Sequence, residues 1–180
     1  CICSTRHHSS NTYGDCTMSV LKVQELQHTN ATSAMTIDTA GRILTPARPS
    51  FFASKNGHLS EVNGSNKIGS WTTKHDIGSN FNATTGDYTC PIAGVYFFAM
   101  NWMHGNPAGD LQLHGYKNST VIVRANQMAA GASWNQDHVS IVYQMGVNDT
   151  FSWHLRSTSS STYGVYGSSD FTNFMGYLIG

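Results

Sequence analysis

The side chains in this sequence that could do chemistry are nine histidines, ten acidic residues and four cysteines. The histidines (His7, His8, His28, His58, His75, His104, His114, His138 and His154) are scattered along the chain. None falls in a His-Glu-x-x-His pattern, which would set two imidazoles on one helix face around zinc. His75–Asp76 and Asp137–His138 are sequence neighbours, but neighbours on a strand point to opposite faces. The sequence has no Gly-x-Ser-x-Gly elbow and no phosphate-cradling Gly-Lys-Ser/Thr. These residues argue against an enzyme.

Cys1, Cys3, Cys16 and Cys90 make an even set, which reads as a disulfide framework. Cys1 and Cys3 are too close to bridge each other comfortably, so each is expected to reach a different partner, within the chain or on another subunit. Two other readings stay open. One is a metal site, because His7, His8 and Asp15 lie among these cysteines, although the spacing matches no standard zinc pattern. The other is free thiols.

Charge excludes further classes. Lys and Arg balance Asp and Glu at ten each, and charged residues are 11% of the chain, against roughly 25% in an average domain. Such a chain has no net attraction for nucleic acid or an anionic membrane. Ser, Thr, Asn and Gly supply the polarity, as on surfaces where subunits pack and few charges need desolvating. No apolar run approaches the roughly 18 residues that span a bilayer, so no membrane insertion is expected. The chain opens on Cys1 with no charged-then-apolar leader, which reads as a processed chain or a fragment of an extracellular protein.

The elements that must position these residues fall into two parts, 1–47 and 48–180. The first is polar and cysteine-bearing, with a short strand in 19–26. It also has a hairpin over 34–44, turning at Asp38-Thr39-Ala40-Gly41. Pro46 and Pro49 punctuate the boundary. From Phe51 onward short apolar runs recur between Gly, Asn, Ser and Asp clusters, and in 151–155 Phe151, Trp153 and Leu155 share one face. Many short strands at even spacing predict a sandwich or barrel. The Ser/Thr-rich stretch 157–169 lies between two strands and reads as an exposed strand or a long loop.

Residues 75–98 carry Asn80, Thr85-Gly86, Tyr88, Cys90-Pro91 and Gly94-Val95-Tyr96, an order that resembles the signature region of globular C1q-like domains. Pro49 to Ala53 resembles that family's opening strand, and Leu111 to Gly115 its hairpin with a chain-reversing glycine. Phe171 to Leu178 resembles its closing strand. The resemblance covers 48–180 and implies an all-β C1q/TNF-like jelly-roll sandwich that forms homotrimers around an aromatic, apolar axis. It makes Tyr96, Phe98, Trp102, Phe151, Trp153, Phe174 and Tyr177 candidates for the core or trimer interface. No metal site or cofactor is expected; calcium is the ion the resemblance leaves open, and Asp110, Asp137, Asp149 and Asp170 lie in loops or at strand edges. The sequence has no Asp-x-Asp array and no Gly-X-Y collagen stalk. The stretch 20–46 is similar to the stem before trimeric phage tail-fibre tips, which points to a microbial or viral source.

These readings predict a non-enzymatic structural subunit of an extracellular fibre, with trimers linked head-to-tail through the extension and its disulfides. The alternative is a receptor- or glycan-binding trimeric head. Trp71, Trp102 and Trp153 are expected in the core or an interface, and Trp134 is the candidate for an exposed sugar-stacking platform. Asn30, Asn63, Asn82, Asn118 and Asn148 sit in Asn-x-Ser/Thr sequons. They are glycan acceptors or turn residues.

Overall fold

The structure is a computed structural model that describes residues 23–31, 33–105, 109–129, 134–168 and 171–180. Side chains at 60–63, 109–110, 126–129 and 158–163 lie outside the description. Among the described residues every regular element is a β-strand, and there is no helix long and apolar enough to cross a membrane.

The chain divides between Pro46 and Ala47 into two compact units. The first holds an antiparallel sheet of β1 (Glu25–Gln27), β2 (Ser33–Ile37) and β3 (Ile43–Leu44). The turn expected at 38–41 joins β2 to β3. The Asp38 carboxylate accepts the backbone N–H groups of Ala40 and Arg42, each at 2.9 Å, and Arg42 Nε at 2.7 Å. This sheet encloses no core, because Leu26, Ile37, Ile43 and Leu44 are all exposed.

The second unit comprises β4 (Ser50–Lys55), β5 (Leu59–Lys67), β6 (Trp71–Ile77), β7 (Phe81–Asn82), β8 (Asp87–Thr89), β9 (Gly94–Gly105), β10 (Gly109–Lys117), β11 (Thr120–Ala129), β12 (Asn135–Met145), β13 (Thr150–Val165) and β14 (Asn173–Leu178). One layer of the sandwich runs β12-β9-β14-β4-β6. The other runs β11-β10-β13-β5, with β8 on the start of β13 and β7 on β8. The end of β13 joins the layers by pairing Gly164 with Gly105 and Val165 with His104.

The period of two decides what fills the space between the layers. Tyr96, Phe98, Met100 and Trp102 alternate along β9 and are buried. They meet Phe151, Trp153 and Leu155 of β13, Leu111 and Leu113 of β10, and Phe174 of β14, all buried. Each such side chain contributes about 1.5–3 kcal/mol when taken out of water, so this aromatic layer is the main stabilising element of the unit.

One expectation needs correction. The chain does not reverse at Gly115. It reverses at Asn118-Ser119, where Asn118 takes φ 54°. Gly115 lies within β10 because a Cβ there would come 2.5 Å from Val123 Cγ1 and 2.9 Å from Phe151 Cζ. Packing, not turning, demands that glycine. Of the two readings of the Ser/Thr-rich stretch, strand or long loop, the strand holds through Val165. The stretch continues β13, whose backbone pairs with β5 up to Val165 with a register shift between Ser157 and Thr162. Gly86 makes a turn at φ 76°, a conformation glycine adopts without strain.

Candidate functional site

β9 is apolar on both faces. With Tyr96, Phe98, Met100 and Trp102 turned inward, Val95, Phe97, Ala99 and Met103 must face away from the core. Register sets Val142 on one side of Phe97 and Tyr177 on the other. The Phe97 and Tyr177 rings lie 5.2 Å apart, and Met175 stands between Ala99 and Phe52. Val142 is 57% exposed and Tyr177 43% exposed. A sheet face in contact with water normally carries polar residues. Here the face is mixed: Gln136, Ser140 and Gln144 of β12 share it with Val142 and are exposed, and one row is polar across three strands, with Asn101 Nδ2 donating to Asn173 Oδ1 at 2.9 Å and Asn101 Oδ1 meeting His138 Nδ1 at 2.7 Å.

Of the seven aromatic candidates, Tyr96, Phe98, Trp102, Phe151, Trp153 and Phe174 belong to the core, and Tyr177 belongs to the outer face. Phe97, Val142, Met175 and Phe52 complete that face and were not singled out from sequence. The signal that could have found them is a strand apolar at both parities, which implies cover on both sides.

Trp134, the exposed tryptophan, is 42% exposed. It lies 6.0 Å from the His58 ring, nearly parallel to it, and 4.9 Å edge-on from Tyr166. Tyr166 in turn meets Phe171 at 5.6 Å, and Phe171 is also exposed. Trp71, Trp102 and Trp153 are buried.

The bridge expected through Cys90 is corrected by the structure: its thiol is free and fully buried in the aromatic core. Burial, and after it the Asp149 charge, push that thiol up to about 12. Cys1, Cys3 and Cys16 lie outside the described residues. Among the sequons, Asn82 Oδ1 accepts the Thr84 and Thr85 N–H groups, and Asn118 holds Thr150 N and Asp149 Oδ1. Asn148 takes φ 64° in a turn, and Asn30 is exposed. The Asn63 side chain lies outside the description.

The acidic candidates for calcium are engaged elsewhere or not described. Asp137 Oδ2 lies 2.8 Å from His104 Nε2, and Asp149 takes Lys117 Nζ at 2.8 Å. Asp170 and the Asp110 side chain lie outside the description. Among the described residues no cluster of three or more His, Cys, Asp or Glu could hold a metal. Asp137 and His138 do diverge, the one toward His104 and the other toward Asn101.

The sequence model described as the C1q domain matches residues 50–179. The chain belongs to the C1q-domain family. Solved structures with a similar fold include murine APRIL at pH 5.0, with 9% identity, a TM-score of 0.59, and coverage of 73% of this chain and 99% of that one. The globular domain of zebrafish complement 1qA shares 17% identity at a TM-score of 0.55, covering 73% of this chain and 98% of that one. Eiger TNF from S. frugiperda shares 10% identity at 0.59, covering 74% and 94%. C1q and TNF-like domains are generally non-enzymatic ligand-binding modules, usually extracellular, that typically form homotrimers.

Proposed function

We propose that this C1q-family chain is a non-enzymatic structural subunit of an extracellular fibre. Its C1q domain trimerises through the outer face of the β12-β9-β14-β4 layer, and its first unit links one trimer to the next. The observation that carries this reading is the apolar cluster around Phe97, where Val142 and Tyr177 are both exposed in the single chain. Covering it with two further copies recovers about 25 cal/mol for each Å² of apolar surface removed from water. The first unit adds support. A small sheet whose aliphatic residues Leu26, Ile37, Ile43 and Leu44 are exposed gains stability by packing on another chain. A head-to-tail contact of that kind does not close, so it propagates.

Sedimentation velocity tests the trimer: the unaltered chain sediments as a trimer or larger, and Val142→Arg as a monomer. Negative-stain imaging tests the fibre: long threads that shorten on reduction are expected. Discrete trimers under every condition reject the fibre, and an unaltered chain that is monomeric rejects both.

A glycan-binding head is the second reading, favoured by the exposed ring cluster of Trp134, His58, Tyr166 and Phe171. Titrating neutral N-acetylhexosamine oligosaccharides against tryptophan fluorescence decides it. A saturable change lost in Trp134→Ala supports a sugar platform, and a flat titration rejects it.

A further inference from the structure

The opposite layer carries a different feature. Register across β11-β10-β13-β5 sets Arg124 opposite His114, His114 opposite His154, and His154 opposite Lys67. In the next row Gln112 faces Arg156, and Arg156 faces Ser65. Leu111, Leu113 and Leu155 point into the core, so these alternate residues share the outer face. Directly opposed side chains sit roughly 5 Å apart at Cβ, and like charges there repel. With both imidazoles held neutral the row avoids that repulsion, and its charge sits on Arg124 and Lys67 at the two ends, with Arg156 in the next row.

Of these groups Arg124, Arg156, Ser65 and His114, together with Tyr116, line a groove of about 640 Å³, within the size range of small-molecule sites. His114 is only 2% exposed. Its Nε2 meets Gln112 Oε1 at 2.8 Å, while its Nδ1 is buried with no hydrogen-bond partner. With Nε2 donating to the Gln112 oxygen, Nδ1 of the neutral ring is an acceptor, and a buried acceptor left unpaired calls for a donor such as a ligand hydroxyl rather than for the anion itself. Among the described residues neither arginine makes an ion pair, and the acid near this row, Asp87, is taken by Lys67 Nζ at 2.8 and 3.0 Å. Burial, and after it the charges of Arg124 and Arg156, hold His114 below the usual imidazole range, which records a positive local field.

We propose that this groove is a binding site for a ligand bearing an oxyanion, a carboxylate, sulfate or phosphate monoester, clasped between Arg124 and Arg156 above His114. Planar guanidinium groups match such anions bidentately. The groove is larger than a bare ion, which favours an anionic group carried on a sugar-sized body. It lies on the layer opposite the face assigned to the trimer, so it stands whether or not the fibre reading holds.

The test titrates the full chain with inorganic sulfate, N-acetylglucosamine 6-sulfate and unsulfated N-acetylglucosamine, reading the His114 and His154 imidazole resonances by NMR. Saturable shifts are expected with the charged probes. Arg124→Gln with Arg156→Gln, both exposed changes at unaltered thermal midpoint, should weaken binding about tenfold or more. Tighter binding of the sulfated sugar than of sulfate identifies a glycan source. Equal binding identifies the free anion, with the same chemistry. Three results overturn the site: no saturable shift with either charged probe, equal affinity for the unsulfated sugar, or unchanged affinity in the double variant. Added sodium chloride gives a check without substitution, since sulfate binding indifferent to it would also overturn the proposal.

Discussion

Phe98 and Phe151 stack across the sandwich with ring centroids 4.1 Å apart and planes 2° from parallel. They come from β9 and β13, strands in opposite layers. Behind Phe98 there is no room for any side chain on the neighbouring strand: a Cβ at Gly176 would lie 2.6 Å from Phe98 Cδ1 and 2.8 Å from Phe51 Cε1. The glycine of the closing strand and the aromatic stack are therefore one packing unit.

Gly176→Ala forces two enclosed rings to shift. Overpacking of this kind costs about 1–3 kcal/mol. Urea unfolding should show a lower midpoint with an unchanged slope. A midpoint equal to the parent's would mean that the rings move freely, contrary to the stack described here.

Asp149 ties two turns together. Its carboxylate takes Lys117 Nζ at 2.8 Å, Asn118 Nδ2 at 2.9 Å and the Gly146 N–H at 2.6 Å. Those donors, Lys117 first, hold its carboxyl at about 2, below the ordinary 3.8. The folded value lies below the unfolded one, so the stabilisation is complete above about pH 4 and is lost as pH falls toward 2. Thermal midpoints of the parent and Asp149→Asn should differ at neutral pH and converge below that window. A constant gap across the window would remove the carboxylate's charge from the account.

Much of the fold was legible because strand alternation is a local signal: Phe151, Trp153 and Leu155 point one way in sequence and do so in space. The motif from Asn80 to Tyr96 supplied the topology that alternation leaves open. What escaped was everything set by register. Arg124, His114, His154 and Lys67 are distant in sequence and become a row only when four strands pair. A composition with equal numbers of acids and bases conceals such a row. Gly115 was misread for a related reason. A glycine needed for a turn and one needed for the closeness of Val123 and Phe151 look alike in a sequence.

His154 gives a second acid window with its own sign. Burial first, and then the Lys67 charge, lower it to about 4 from the model-compound value of 6.5. A base whose folded pKa is depressed favours the fold when neutral. Its contribution is therefore full above about pH 6.5 and lost between there and about 4, where the unfolded chain binds the extra proton. His154→Gln should flatten the pH dependence of the unfolding midpoint in that interval. The His154 resonances of the parent should titrate near the lower limit, and titration at the ordinary imidazole value would contradict the enclosure described.

Cys90 decides how the other cysteines can pair. Its thiol is fully buried and pushed up to about 12, so it holds almost no thiolate at neutral pH. A thiol-specific reagent should leave it unmodified in the native chain and label it promptly in denaturant. Cys1, Cys3 and Cys16 then remain, an odd number, and one chain can close at most one bridge among three. Under oxidising conditions the third is available to a second chain. Non-reducing electrophoresis should show covalently joined chains that separate on reduction, and Cys90→Ala should leave that pattern unchanged. Loss of the joined species in Cys90→Ala would place Cys90 in the bridge and overturn its assignment to the core.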